Sequence, residues 1–247
     1  MKAFKRLLII EGRLSIRDMN MIIFAVIMPI VVLVILGVIY GKKVATIGVE
    51  YTFLEQSFGA LCSIAICAGG LMGLPLVISE YRERKILKRF HVTPISPQMI
   101  LMVHLSIYAL YSAVSVVTLW IVGKLLWGVQ LKGSIFIFIA AWLLVLISTL
   151  SIGLLVGGVA KNSKSASVIA SVLYFPMLVF SGATLPYEVM PKIMRRVVEL
   201  LPLTQGIRIL KATTLGLPLH NITNSVIITL IVAVICIIAS VKFFKWE

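Results

Sequence analysis

The amino-acid sequence predicts an all-α integral membrane protein with six transmembrane helices and an amphipathic N-terminal helix. Three observations predict it. Of 247 residues, 60% are hydrophobic and 13% are charged, against about 45–50% and about 25% in an ordinary soluble domain. Six stretches, 21–40, 58–79, 99–123, 134–159, 168–184 and 222–241, contain no Asp, Glu, Lys or Arg. The remaining charge is lopsided, 23 Lys and Arg against 9 Asp and Glu for a net +14, and it gathers in the connections. A basic chain suggests nucleic acid only when a separate folded domain carries a solvated basic face. Here the charges punctuate apolar runs, so no nucleic-acid partner is expected.

Each element follows in order. Crossing a hydrocarbon core takes about 20 apolar helical residues, roughly 17–25, and an ionised group at its centre costs about 2.5–3.5 kcal/mol on insertion scales. All six charge-free runs meet that length, 168–184 only barely, and a five-span alternative would leave the two termini on opposite sides of the membrane. Residues 1–20 precede them. Ala3, Leu7, Ile10 and Leu14 recur at helical spacing while Lys2, Arg6, Arg13 and Arg17 face away, which predicts an interfacial helix on membrane lipid. It is no signal peptide, because Leu7 to Ile10 is only four residues long and Glu11 interrupts it. Placing 1–20, 80–98, 160–167 and 242–247 on the inner side puts 14 basic residues there and 9 in 41–57, 124–133 and 185–221. The positive-inside rule then sets both termini in the cytoplasm of a multi-pass cell-membrane protein. The whole chain, 1–247, reads as one membrane domain.

Chemistry-bearing constellations are few. Cys62, Cys67 and Cys236 lie within spans without a CxxC or a companion His and read as small packing residues. The spans hold no acidic residue and one histidine, His104, and the chain has neither HExxH nor GxxxxGK[ST]. No catalytic, metal or cofactor-binding residues are expected, and an ion-coupled carrier loses ground for want of an intramembrane ionisable group. Any energy for movement therefore enters from a partner. In the third span, His104, Tyr108, Tyr111, Ser115 and Thr118 form a polar stripe along one helix face. Such a stripe faces either a translocation path or dimer partner, or neighbouring helices of its own subunit. Gly69-xxx-Gly73 and Thr149-xxx-Gly153-xxx-Gly157 form small-residue ridges for close helix approach. Pro29 and Pro176 lie mid-span and predict kinks.

Two connections stand out. Loop 80–98 sets Ile86, Leu87 and Phe90 among Arg82, Arg84, Lys85, Lys88 and Arg89. Pro94 and Pro97 then stop the helix, predicting a short charged helix over 82–90. Loop 185–221 sets Met190, Ile193, Met194, Val197 and Leu201 against Lys192, Arg195, Arg196 and Glu199, and repeats this weakly over 204–215. That spacing predicts amphipathic helices at the outer interface.

Glu80, Arg82, Glu83, Arg84, Leu87, Thr93, Pro94, Ile95 and Ser96 stand at matching places in E-R-E-x-G-T-L-x-x-L-x-x-T-P-I-S. This is the coupling segment of type-2 ATP-binding-cassette (ABC) transporter permeases, which the loop resembles. Lys85 and Ile86 replace the common Gly-Thr pair, so the glycine turn found there in the family is expected to be missing. Phe180-Ser181-Gly182, Pro186, Pro191, Leu201-Pro202-Leu203 and Arg208 resemble the family's signature before the last span. The nearest group in style is the drug-resistance permeases of the daunorubicin-exporter type. The resemblance implies short re-entrant or interfacial helices before the last span. It implies a second permease subunit, identical or different, and two copies of an ABC ATP-binding subunit that hold the ATP and magnesium. It also implies ATPase contact through Glu80, Arg82, Glu83, Arg84, Leu87, Lys88, Arg89, Thr93 and Pro94. The cargo expected is an amphiphilic drug or lipid. Rivals are a polysaccharide or glycolipid exporter of the same family, a non-transporting membrane assembly factor, and an intramembrane enzyme acting through His104.

Overall fold

The computed structural model describes residues 2–45, 51–86, 96–180, 198–199 and 201–243. Its helices are α1 (Lys2–Arg17), α2 (Met19–Ile22), α3 (Met28–Tyr40), α4 (Phe53–Cys67), α5 (Leu74–Glu83), α6 (Pro97–Trp127), α7 (Ile135–Val159), α8 (Ser163–Phe180), α9 (Pro202–Leu215) and α10 (Thr223–Phe243). Two wide π-helical turns, Ile23–Ile27 and Ala68–Gly73, join α2 to α3 and α4 to α5. Among the described residues, five helical stretches are long and apolar enough to cross a membrane: Ile23–Tyr40, Phe53–Glu83, Gln98–Trp127, Ile135–Val159 and Leu219–Phe243. The sequence predicts six. The remaining stretch, 168–184, falls on α8, whose 18 residues reach about 27 Å at 1.5 Å per residue, just short of the ~30 Å core. Residues 181–184 lie outside the described residues.

Helix ends follow local chemistry. Thr52 and Glu55 form a reciprocal capping box that starts α4: Glu55 N–H donates to Thr52 Oγ1 at 3.2 Å, and Thr52 N–H to Glu55 Oε2 at 2.8 Å. Ser96 caps α6 through Met99 N–H, with Pro97 as the first helical residue. Gly128 and Gly216, at φ 74° and 68°, close α6 and α9 in the left-handed conformation that favours glycine.

The second span lies at the centre of the bundle and the first and last face outward. Glycines let the central span approach its neighbours backbone to backbone. A methyl group added at Gly59 would lie 2.4 Å from the Lys211 backbone nitrogen, and one added at Gly153 would lie 1.9 Å from the Gly70 carbonyl oxygen. The two small-residue ridges therefore serve different partners. Gly153 and Gly157 meet Gly70, Pro75 and Ile78, whereas Gly69 and Gly73 pack under Tyr108 and Met21.

The short helix expected over 204–215 is α9, buried along most of its length against α4, α7 and α10, with Ile207 and Leu210 on its buried side. Only a side bearing Arg208 and Lys211 stays half-buried. On α1 the apolar residues divide between two sides of the helix. Leu7 and Glu11 are buried, while Ile10 and Leu14 are 56% and 53% exposed. In a membrane protein both the protein-facing and the lipid-facing sides of a helix are apolar, so periodicity alone cannot choose between them. The outer helix expected over 187–201 lies almost wholly outside the described residues.

Candidate functional site

At one end of the bundle, the C-terminal end of the second span is fastened to three other helices by three consecutive side chains. Tyr81 Oη donates to Glu11 Oε2 of α1 at 2.6 Å. Arg82 Nη1 donates to the Gly158 carbonyl of α7 at 2.6 Å. Glu83 Oε2 accepts from both N–H and Oγ of Ser163, each at 3.0 Å, at the start of α8. Those two donors hold the Glu83 carboxyl below the usual carboxylate range. Glu83 lies beyond the charge-free part of that helix, 58–79, and completes an N-terminus that Asn162 Oδ1 also caps through Ser165 N–H at 2.8 Å. Arg84 pairs with Glu80 one turn back, at 2.7 Å and largely exposed.

This arrangement divides the expected coupling residues. Glu80 and Arg84 present charge outward. Arg82 is buried and fastens α5 to α7 through the Gly158 carbonyl. Leu87, Lys88, Arg89, Thr93 and Pro94 lie outside the described residues. The expected helix over 82–90 is corrected at its start: α5 runs on from the second span through Glu83 and then turns.

The turn expected to be missing is present. Lys85 has φ 55°, with its N–H on the Arg82 carbonyl at 2.9 Å, so a lysine occupies the left-handed position where the family pattern has glycine. A non-glycine residue there costs about 1–2 kcal/mol, offset partly by glycine's greater flexibility in the unfolded chain. Lys85→Gly is therefore expected to raise stability by about 0.5–1 kcal/mol. Thermal unfolding in detergent checks this, with Lys85→Val expected to shift the midpoint the other way.

Sequence reasoning missed Glu11. Its signal was a carboxylate four residues from Leu7, on the side of α1 that turns inward. His104 completes the junction: its Nε2 lies 4.0 Å from Glu11 Oε2, and its ring meets the Tyr81 ring edge-on at 5.0 Å. The rest of the polar stripe also turns into the chain. Tyr108 and Ser115 are buried, and α6 packs on α1, the first span and the second. Thr118 bonds the Val114 carbonyl of its own helix at 2.7 Å. Next to the stripe, Trp142 Nε1 donates to Ser112 Oγ at 3.0 Å and joins α7 to α6.

The opposite end has its own fastening. Glu55 Oε1 accepts from Gln130 N–H at 3.2 Å, and Lys132 Nζ lies 3.9 Å from Glu55 Oε2. Of the outer-loop motif, Pro202 opens α9 and Arg208 pairs with Glu199 at 3.3 Å. The Gln205 side chain also donates to the Glu199 carbonyl. Ser181, Gly182, Pro186 and Pro191 lie outside the described residues.

Between these ends, the first, second and fifth spans of the sequence reading enclose a cavity of about 290 Å³. Its walls are almost wholly apolar. Phe24, Met28 and Val32 face Ala60, Ile64 and Met72 across it, and Tyr174, Phe175 and Leu178 close the third side. Ser57 and Tyr174 supply the polar side chains. The polar stripe of the third span takes no part in this lining.

Comparison with known proteins agrees with this architecture. Residues 2–215 match the family model described as ABC-2 type transporter. The inner membrane transport permease YhhJ of Escherichia coli strain K12 is 28% identical over 151 residues, 61% of this chain and 40% of the relative. The probable multidrug ABC transporter permease YbhS of the same strain is 25% identical over 187 residues, 75% of this chain and 48% of the relative. The chain thus spans less than half the length of the curated relatives it matches. A run of apolar helices along 2–215, joined at one end by a charged segment, fits a multi-pass membrane permease, and the chain belongs to the ABC-2 type transporter family.

Proposed function

We propose that the chain is the permease subunit of an ABC exporter that moves an amphiphilic, drug- or lipid-like molecule across the cell membrane. A separate pair of ATP-binding subunits hydrolyses the ATP, and a second permease subunit, identical or different, completes the path. In this reading the chain crosses the membrane six times, with both termini in the cytoplasm. The observation that carries it is the fastening of Tyr81, Arg82 and Glu83 to three different helices, next to the exposed Glu80 and Arg84. A push on the segment that follows would be shared at once by α1, α7 and α8. ATP binding then biases one of two arrangements of the bundle, by no more than its differential contact energy.

The cavity supports the cargo class. Apolar walls with one hydroxyl and one phenol suit a molecule with a large apolar body and a small polar part. A sugar chain would leave its many hydroxyls unpaired against such walls, which disfavours the polysaccharide reading. Reversing charge at Arg84 and Lys88 together is expected to leave the permease folded while uncoupling ATP hydrolysis from transport. The ratio of dye moved to ATP hydrolysed, measured on the purified complex, checks this; an unchanged ratio with intact assembly removes the docking role.

A further inference from the structure

Every helix that lines the cavity is interrupted beside it. In the first span the π turn Ile23–Ile27 is followed by Pro29. In the second the π turn Ala68–Gly73 is followed by Pro75. In the helix facing both, Pro176 stands in the interior of α8, between the cavity residues Phe175 and Leu178. By contrast, α6, α7 and α10 have no interior proline and no π turn, and none of their residues lines this cavity. A π turn holds one residue more than the regular ladder, and a proline removes a donor from it. Bending is concentrated at such points.

The second span is divided by its interruption into halves with different attachments. Above it, α4 is held by the capping box and by backbone contact of Gly59 with Lys211. Below it, α5 carries Tyr81, Arg82 and Glu83 with their fastenings. The turn between them has two faces. Ala68 and Met72 line the cavity, while Gly70 and Gly73 lie against Thr149, Tyr108 and Met21.

We propose that Ala68–Gly73 is the hinge at which movement of α5 reshapes the cavity wall, with the interruptions at Ile23–Ile27 and Pro176 yielding around it. Displacing the Glu80 end swings Leu74–Glu83 about this turn while α4 stays seated on α9. Ala68 and Met72 then change the width of the cavity, and Phe24 and Met28 follow because the two π turns touch. The inference rests on the reading of the chain as an ATP-driven permease.

Pro75→Ala restores the missing donor and stiffens the turn. In liposomes holding the permease with its copurified ATPase, this variant is expected to keep ATP hydrolysis but move a rhodamine dye several-fold more slowly. Pro218→Ala, exposed before the last span, is expected to change neither. Hydrogen exchange on the permease alone gives a second readout. Amides of residues 68–73 are expected to exchange faster than those of 54–67, and to slow in Pro75→Ala. A Pro75→Ala variant that moves dye at the wild-type ratio to ATP overturns the hinge, and so does exchange at 68–73 no faster than at 54–67. Absence of dye movement by the wild type is a failure of the permease reading instead, and the exchange comparison then decides the hinge by itself.

Discussion

Gly153→Ala is expected to remove most of the folded protein, whereas Gly12→Ala is expected to stabilise it. Both are glycine-to-alanine changes inside helices, so intrinsic propensity favours each by about 1 kcal/mol. The surroundings set the sign. At Gly153 the new methyl would lie 1.9 Å from the Gly70 carbonyl oxygen, an atom of another helix's backbone that no rotamer change can move. The fourth span would have to retreat from the second by well over an ångström. The Arg82–Gly158 bond and the Gly157 contact with Ile78 would strain with it. Overpacking of this kind costs typically about 1–3 kcal/mol, and the backbone contact places this case at or above the upper end. At Gly12 nothing lies within 4 Å, so only the helix-propensity gain remains. Monodisperse yield after detergent extraction, with thermal unfolding of what survives, compares the two. Equal behaviour would mean that the second and fourth spans are not in backbone contact.

Tyr81→Phe is the second large effect, and it deletes a single oxygen. The Tyr81 hydroxyl donates to a buried carboxylate at 2.6 Å, and a bond to a charged group contributes about 1.5–3 kcal/mol. Losing it leaves Glu11 in a poorly solvated site beside His104. Glu11→Gln keeps the shape and a neutral acceptor, so the cost of Tyr81→Phe is expected to fall to about 1 kcal/mol in that background. Unfolding of the four proteins of the cycle supplies the coupling energy. Simple additivity would show that the hydroxyl and the carboxylate do not interact.

The spans were legible because charge is so costly in hydrocarbon that its exclusion marks each run; 134–159 agrees with α7 to within a residue. Destinations were less legible. The spacing of His104, Tyr108 and Ser115 is plain in the sequence, but whether that face meets a path or another helix depends on where α1 and the second span pack. For α1, Leu7 and Ile10 are equally apolar, and only the tertiary contact of Glu11 shows which side turns inward. Lys85 illustrates the opposite failure. A glycine absent from the pattern suggested an absent turn, yet a lysine takes the same conformation with its N–H on the Arg82 carbonyl. The cavity had partial signals in Pro29 and Pro176, while Pro75 and the Ala68–Gly73 run carried an interruption that periodicity does not register.

The central claim is that this chain moves an amphiphile on energy supplied by a separate ATPase. Affinity purification of the tagged chain from its native membrane, followed by reconstitution in liposomes, tests it most directly. The expected result is an ATP-binding subunit recovered in stoichiometric amount, with rhodamine transport that starts on ATP addition and stops when a non-hydrolysable analogue replaces it. A chain recovered intact with no ATP-binding subunit, in liposomes where dye movement is absent or indifferent to ATP, would contradict the account.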